Sequence, residues 1–266
     1  MYQENLMDFL MKGRTAIITG GVQGIGFEAA KELANEGVNL ILADRNEEAG
    51  ERALRALSAL TSVIFVPTDL TKQESIDTLV TIATKRFKEI HYFVNSAAIL
   101  DDKSFEDSSF DDWQRMLDVC LLGPMRCLHA ILPLMKSQSY GRIVCFSSDS
   151  ARVGQAKLAY YAAAKAGVTA LVKSIAQEVG PHGITANIVS PGATNTPMRM
   201  EREASLREQM GPEKYAKRLL TVQKMYPLRR IGEPSDIAGM VTFLLSDRAS
   251  WITGQVISIN GGFTMV

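Results

Sequence analysis

What most constrains this chain is the way short, wholly apolar runs alternate with longer stretches of helical period. Thr15-Ala16-Ile17-Ile18-Thr19 reads as a buried strand, followed by glycines and a helix to about Asn35. Gly37 ends that helix, and Val38 to Ala43 is a second strand. A charged helix with Leu54, Leu57 and Leu60 at helical spacing precedes a third strand, Val63 to Val66. Ile76, Leu79, Val80, Ala83 and Phe87 line another helix, and Tyr92 to Val94 is a fourth strand. A long helical segment runs from about Asp111 to Lys136, then a strand from Ile143 to Phe146. The alanine-rich helix around Tyr161 continues to about Val179, and Thr185 to Val189 is the sixth strand. After a longer irregular region, Pro234 to Leu245 is helical and Val256 to Ile259 is the last strand. Continuous apolar strands separated by helices belong in a parallel sheet covered on both faces. The expected architecture is a doubly wound α/β fold with about seven parallel strands. No linker, repeat or low-complexity stretch divides residues 1–266, so a single domain is expected, with 1–12 as an N-terminal extension.

Composition then removes whole classes of function. A hydrophobic share of 46% and a charged share of 22% are ordinary globular values. The formal net charge is zero, which gives no electrostatic footprint for nucleic acid or a membrane surface. Cys120, Cys127 and Cys145 are odd in number and form no CxxC pair, so they read as reduced thiols of a cytoplasmic protein. His91, His129 and His182 lack ligand spacing, and no metal site is expected. Met1 to Lys12 has neither a basic start nor a long apolar centre, so it does not read as a secretory signal. No run of about 18 apolar residues is present to span a bilayer.

The chemistry concentrates in Tyr161-Ala162-Ala163-Ala164-Lys165, with Ser148 thirteen residues upstream. Residues four apart on a helix lie one turn apart on one face, so the lysine ammonium can approach the phenol. A free phenol titrates near pH ~10, and a fixed cation favours its ionised form. Bringing it to neutrality takes roughly 3 units, about 4 kcal/mol, which a buried lysine plus a second positive charge could supply. A serine hydroxyl nearby would hold the substrate oxygen. An isolated YxxxK is more often a surface pair, and the rest of the chain reverses those odds. Gly20, Gln23, Gly24, Ile25 and Gly26 lie between the first strand and first helix. Glycines there permit a tight turn, and a helix N-terminus faces a pyrophosphate. The spacing is G-x3-G-x-G rather than GxGxxG. Asp44 ends the second strand, where a carboxylate binds adenosine ribose hydroxyls and repels a 2′-phosphate, favouring NAD over NADP. The adjacent Arg45 could instead receive that phosphate.

With these residues in place, the chain resembles the short-chain dehydrogenase/reductase family from about Gly13 to its C-terminus, with its Rossmann-like fold. The matching stretches are Thr19 to Gly26, Asp69-Leu70, Asn95 to Ala98, Ser148, Tyr161 to Lys165, and Pro191-Gly192 with Thr196. Arg230 to Ala238, Ile252 to Gln255 and Asn260 to Gly262 complete the series. The resemblance implies that Tyr161 is the general acid/base, that Lys165 lowers its pKa and binds the nicotinamide ribose, and that Ser148 orients the substrate. It implies that Asp69 meets the adenine beside the Leu70 backbone, and that Asn95 and its small neighbours pass near the adenosine ribose. Pro191, Gly192 and Thr194, with the Thr196 hydroxyl, would hold the nicotinamide; a serine or threonine alone is more often a cap. Ser96 and Ala98 are minor departures. Cys120 is a larger one: the family has an asparagine there that holds a water linking the lysine to solvent, and a thiol is a poor substitute for an amide.

The resemblance further implies that the region 194–225 is a substrate lid. Met198, Met200, Met210 and Met225 give it either an apolar lining or ordinary packing. Arg199, Arg202 and Arg207 read first as a solvated face, with a site for a CoA phosphate as the alternative. Ser148 to Gly154 is similar to the corresponding stretch of alicyclic 2-hydroxyacyl-CoA dehydrogenases. The expectation is an NAD-dependent oxidoreductase interconverting a secondary alcohol and a ketone, on a small molecule that could be CoA-linked. A 3-oxoacyl-thioester reductase using NADPH is the enzymatic alternative; a catalytically weakened subunit of a hetero-oligomer is the other. A homotetramer packed through the long helix and the Tyr161 helix is expected from the family.

Overall fold

The computed structural model describes residues 9–266. Of the N-terminal extension only 9–12 fall within it, and the reading of the first eight residues lies outside the described ones. Seven strands form one parallel sheet: β1 (Thr15–Thr19), β2 (Asn39–Asp44), β3 (Val63–Pro67), β4 (Tyr92–Asn95), β5 (Gly141–Phe146), β6 (Ile184–Pro191) and β7 (Val256–Ile259). Their order is β3-β2-β1-β4-β5-β6-β7. The chain reverses its direction of travel across the sheet between β1 and β4, and Thr19 stands in register with Ala43 on one side and Asn95 on the other.

Strand alternation sorts side chains into two cores. Ile18, Leu40, Leu42, Val94 and Val144 point to one face, under Ala29, Ala30 and Leu33 of α1 (Gly24–Asn35) and Val241 and Leu244. Ile17, Ile41, Phe93 and Ile143 point to the other, under α3 (Gln73–Phe87) and the helices that carry Ile131 and Val172. The period of two explains why each strand is apolar throughout: both faces are covered. α2 (Glu47–Leu57) starts on the Asn46 side chain, which accepts the Ala49 N–H at 3.0 Å. Its buried face is Ala49, Ala53 and Leu57; Leu60 lies beyond the helix and is exposed, contrary to the leucine spacing.

Two segments differ from the sequence reading. The long helix is α4 (Phe110–Leu117), a wider turn at Asp118–Leu122 with bonds to the fifth residue, and α5 (Gly123–Gln138). Ser109 and Asp112 cap its start reciprocally. Among the described residues this stretch, 110–138, is the one helix long and apolar enough to cross a membrane. Met116, Cys120, Cys127, Leu128, Ile131 and Met135 bury one side of it in the protein core. The region 194–225, expected to be irregular, contains α8 (Pro197–Met210) and α9 (Pro212–Met225). A proline opens each, and Gly211 between them has φ +79°, a value that side chains resist. The short α6 (Ser150–Val153), α7 (Ala159–Val179) and α10 (Pro234–Leu245) complete the set used below.

At the amino ends of the strands Asp247 gathers three donors. Arg14 Nη2 is 2.7 Å from it, Arg142 Nη2 3.1 Å and the Tyr140 hydroxyl 2.9 Å. Tyr140 is sandwiched, with the two guanidiniums 4.6 and 4.4 Å from its ring centre. The Arg14 bond holds the Asp247 carboxyl below its ordinary range, with Tyr140 adding to it. A carboxyl depressed on folding stabilises the fold above its unfolded pKa, and that contribution is lost as pH falls through the folded value. Asp247 is half exposed, so the expected effect is modest. Asp247→Asn should cost about 1 kcal/mol in urea melts at pH 7, and the gap to wild type should close below pH ~4.

Candidate active site

The loops at the carboxyl ends of the strands enclose a cleft of about 640 Å³. It sits where β1 and β4 part, the switch point at which such sheets bind ligands. Gly20, Gln23, Gly24 and Ile25 line it. Gly20 has φ +69°, and a Cβ there would stand 2.6 Å from the Ala97 nitrogen. Gly26 does not line the cleft. It is the packing glycine, whose added Cβ would lie 2.2 Å from the Gly20 carbonyl oxygen. First-turn amides of α1 have no intrahelical acceptor, so the turn presents free N–H groups beside the cleft.

Along the far wall come Asp44, Arg45, Asp69 and Leu70, then Ser96, Ala97 and Ala98. Asp44 is half-buried; burial pushes its carboxyl up, and the Asn46 N–H bond at 3.0 Å pulls the other way. Arg45 is exposed. Asp69 is held low by the Thr71 hydroxyl, 2.7 Å away, and the Thr71 N–H at 3.0 Å. Asn95 is fully buried behind this wall, where its Oδ1 accepts from Thr19 at 3.0 Å while its Nδ2 has no hydrogen-bond partner among the described residues. A carboxylate, small residues and a glycine cradle in one groove fit a dinucleotide.

The reacting end assembles from two elements. Ser148 follows β5, and its Oγ lies 2.9 Å from Ser150 Oγ. Tyr161 and Lys165 line the same cleft from α7, with Lys165 Nζ 5.9 Å from the phenol ring centre. Lys165 is 1% exposed and donates to the Phe146 carbonyl at 2.9 Å. Around the phenol, burial opposes the expected depression. Burial raises the Tyr161 pKa, assisted by the Cys120 thiol, and only the Ser148 hydroxyl opposes it. Burial also lowers the Lys165 pKa. Desolvation thus works against the charged form of both groups.

Pro191, Gly192, Ala193, Thr194 and Thr196 form the third wall. The Thr196 hydroxyl caps α8, accepting the Arg199 N–H at 3.3 Å, and the same residue packs beside Gly24. Thr196 is thus at once a helix cap and part of the cleft wall. Met198 and Met225 line the cleft, whereas Met200 and Met210 do not. Arg199 and Arg202 are not a solvated face: Arg199 lies 3.4 Å from Glu203, which also takes Arg218 at 2.8 Å, and Arg202 donates to Asp102 at 2.7 Å. Arg207 is exposed. Leu100, Gln155, Leu158, Tyr226 and Phe263 also line the cleft and carried no sequence signal, because no period or motif marks a loop residue.

Cys120 is wholly buried in the wide turn. Its Sγ accepts the Ile99 N–H at 3.4 Å and lies 3.6 Å from the Ile99 carbonyl, so it meets both backbone polar groups of that residue. Pro124 follows four residues later and has no N–H, so the Cys120 carbonyl has no donor of the α-helical kind.

A family model described as "Enoyl-(Acyl carrier protein) reductase" matches residues 20–264. The chain is 33% identical over 258 residues to 3beta-hydroxysteroid dehydrogenase 1 of Eggerthella lenta, covering 96% of this chain and 95% of that one. It is 32% identical over 263 residues to cyclohexanol dehydrogenase of an Acinetobacter species, covering 98% and 99%. The crystal structure of levodione reductase superposes with a TM-score of 0.88 at 32% identity, over 95% of this chain and 98% of that one. The chain belongs to the short-chain dehydrogenase/reductase family. It is an oxidoreductase of the CH–OH group, and that family implies a nicotinamide dinucleotide as cofactor.

Tyr161→Phe should lower kcat by about 10²–10⁴-fold while leaving dinucleotide affinity within about twofold. Unchanged turnover would sink the acid/base assignment. Because burial raises the phenol pKa, the kcat/KM for alcohol oxidation should climb with pH across the alkaline range; a flat profile would show that another group accepts the proton.

Proposed function

We propose that this protein is an NAD-dependent dehydrogenase interconverting a secondary alcohol and a ketone. The observation that carries the reading is the convergence of Ser148, Tyr161 and Lys165 on one end of a cleft whose other end bears Asp44. Ser148 Oγ holds the substrate oxygen and the Tyr161 phenolate takes its proton. The nicotinamide supplies the hydride acceptor and the positive charge that ionises the phenol. Gly20 to Ile25 hold the pyrophosphate, Lys165 the ribose, and Pro191 to Thr196 the carboxamide. Fixing both reactants makes the transfer effectively intramolecular. The Cys120 thiol secures Ile99, so in this reading proton exchange with solvent runs through another group or water.

Asp44 supports NAD. A 2′-phosphate at ~4 Å would meet about 4 kcal/mol of repulsion per charge pair at intermediate dielectric. Leu100, Leu158, Met198, Val222, Met225, Tyr226 and Phe263 give the substrate side an apolar wall, which supports a cyclic or otherwise bulky alcohol. The relatives named for hydroxysteroid and cyclohexanol oxidation point the same way. Arg199, Arg202 and Arg218 also line the cleft, but Glu203 and Asp102 already take their charge, which counts against the second reading, a hydroxyacyl-CoA whose phosphates they would meet. A homotetramer built on the 110–138 helix and α7 is part of the proposal, and light scattering that returns a monomer refutes it.

The test is reduced-cofactor formation with NAD or NADP against a panel of cyclic secondary alcohols and hydroxyacyl-CoA thioesters. NAD should be preferred, and Asp44→Ala should shrink the NAD/NADP ratio of kcat/KM by about tenfold or more. Turnover with NADP alone would assign the ribose end to Arg45 and favour the reductase reading.

A further inference from the structure

Asp149, next to Ser148, is 3% exposed and takes no part in the chemistry above. It stands at the start of α6 but does not cap it. Its Oδ1 accepts from the Ser190 hydroxyl at 2.9 Å, and its Oδ2 from Asn260 Nδ2 at 2.6 Å. No ion pair involves it among the described residues. A carboxylate buried against neutral donors is expensive to keep, so its bonds are worth following.

They lead to the C-terminal turn. Asn260 Nδ2 also donates to the Thr264 carbonyl at 2.9 Å and to its hydroxyl at 3.0 Å, and Asn260 Oδ1 accepts the Gly262 N–H at 2.9 Å. Gly261 and Gly262 both have positive φ, so the turn has little strength of its own. It delivers Phe263 onto Tyr226, rings 5.1 Å apart and 24° from parallel. Tyr226 in turn accepts the Ala193 N–H at 3.0 Å. Ser148, Asp149, Ala193, Tyr226 and Phe263 all line the one cleft.

We propose that Asp149 is a positioning residue for the substrate: through Asn260 it sets Phe263 and Tyr226 as the wall facing Ser148 and so determines which alcohols fit. This deepens, and rests on, the dehydrogenase reading. The carboxylate locks three segments distant in sequence, the catalytic-serine loop, the end of β6 and the C-terminal turn, at the substrate end of the cleft. The glycine turn and Asp44 at the cofactor end are not among its partners.

Two measurements test it on the full chain, with Asp149→Ala, Asp149→Asn, Phe263→Ala and the Ala double variant. Hydrogen exchange needs no turnover: Asp149→Ala should speed exchange at Gly262 and Phe263 about tenfold or more while the α7 amides keep their protection. In kinetics, KM for a cyclic secondary alcohol should rise about tenfold with kcat within about threefold and NAD affinity within about twofold. Phe263→Ala should show the same KM effect, and the double variant should add little to either, because both act on one wall. Asp149→Asn, which keeps an acceptor oxygen for Asn260, should stay near wild type and guards against a variant that fails to fold. Unchanged exchange, or faster exchange with KM unmoved, overturns the proposal. So does a loss confined to kcat, which would place Asp149 behind Ser148 instead. A wild type inert towards every alcohol refutes the dehydrogenase reading, and the exchange result still decides whether Asp149 anchors the turn.

Discussion

Seven parallel strands, covered on both faces, decide where the cleft lies among the described residues. Every strand runs the same way, so the loops that leave their carboxyl ends share an edge, and at the β1/β4 reversal those loops diverge. The glycine turn, Asp44, Ser148 and Pro191–Thr196 are consecutive samples of that edge. The opposite edge carries the Arg14–Asp247–Arg142 cluster around Tyr140, which contributes modestly to stability.

Within the cleft, desolvation is the dominant electrostatic fact. It raises the phenol of Tyr161 and lowers the ammonium of Lys165, pressing both towards neutrality. The ion pairs of 197–225 follow a different rule. Glu203 is buried but satisfied by two guanidiniums, which joins α8 to α9, and Arg202 reaches a hundred residues back to Asp102, which ties α8 to the loop after β4.

Cys120 shows what a residue type leaves out when it is read alone. Read as a letter, a thiol replaces an amide and weakens the hydrogen bonding. In the fold, the sulfur meets both the N–H and the carbonyl of Ile99, and Pro124, which has no N–H, takes the α-helical donor from the Cys120 carbonyl.

The sequence by itself determined the strands, the sheet's parallel sense, the seven-strand count and the YxxxK device, because each rests on local periodicity or on spacing within one element. Gly20 and Gly24 were legible for the same reason: a positive φ leaves a mark in residue type. What only the tertiary structure decided are contacts between elements far apart in the chain. The two helices of 197–225, the burial of Asn95 behind the wall it was expected to line, and the arginines' carboxylate partners are of this kind. So is the link from Asp149 to Asn260, 111 residues apart. Periodicity reports how a segment meets its own neighbours, whereas a hydrogen bond across the fold depends on where two backbones are brought together, and no local pattern encodes that distance.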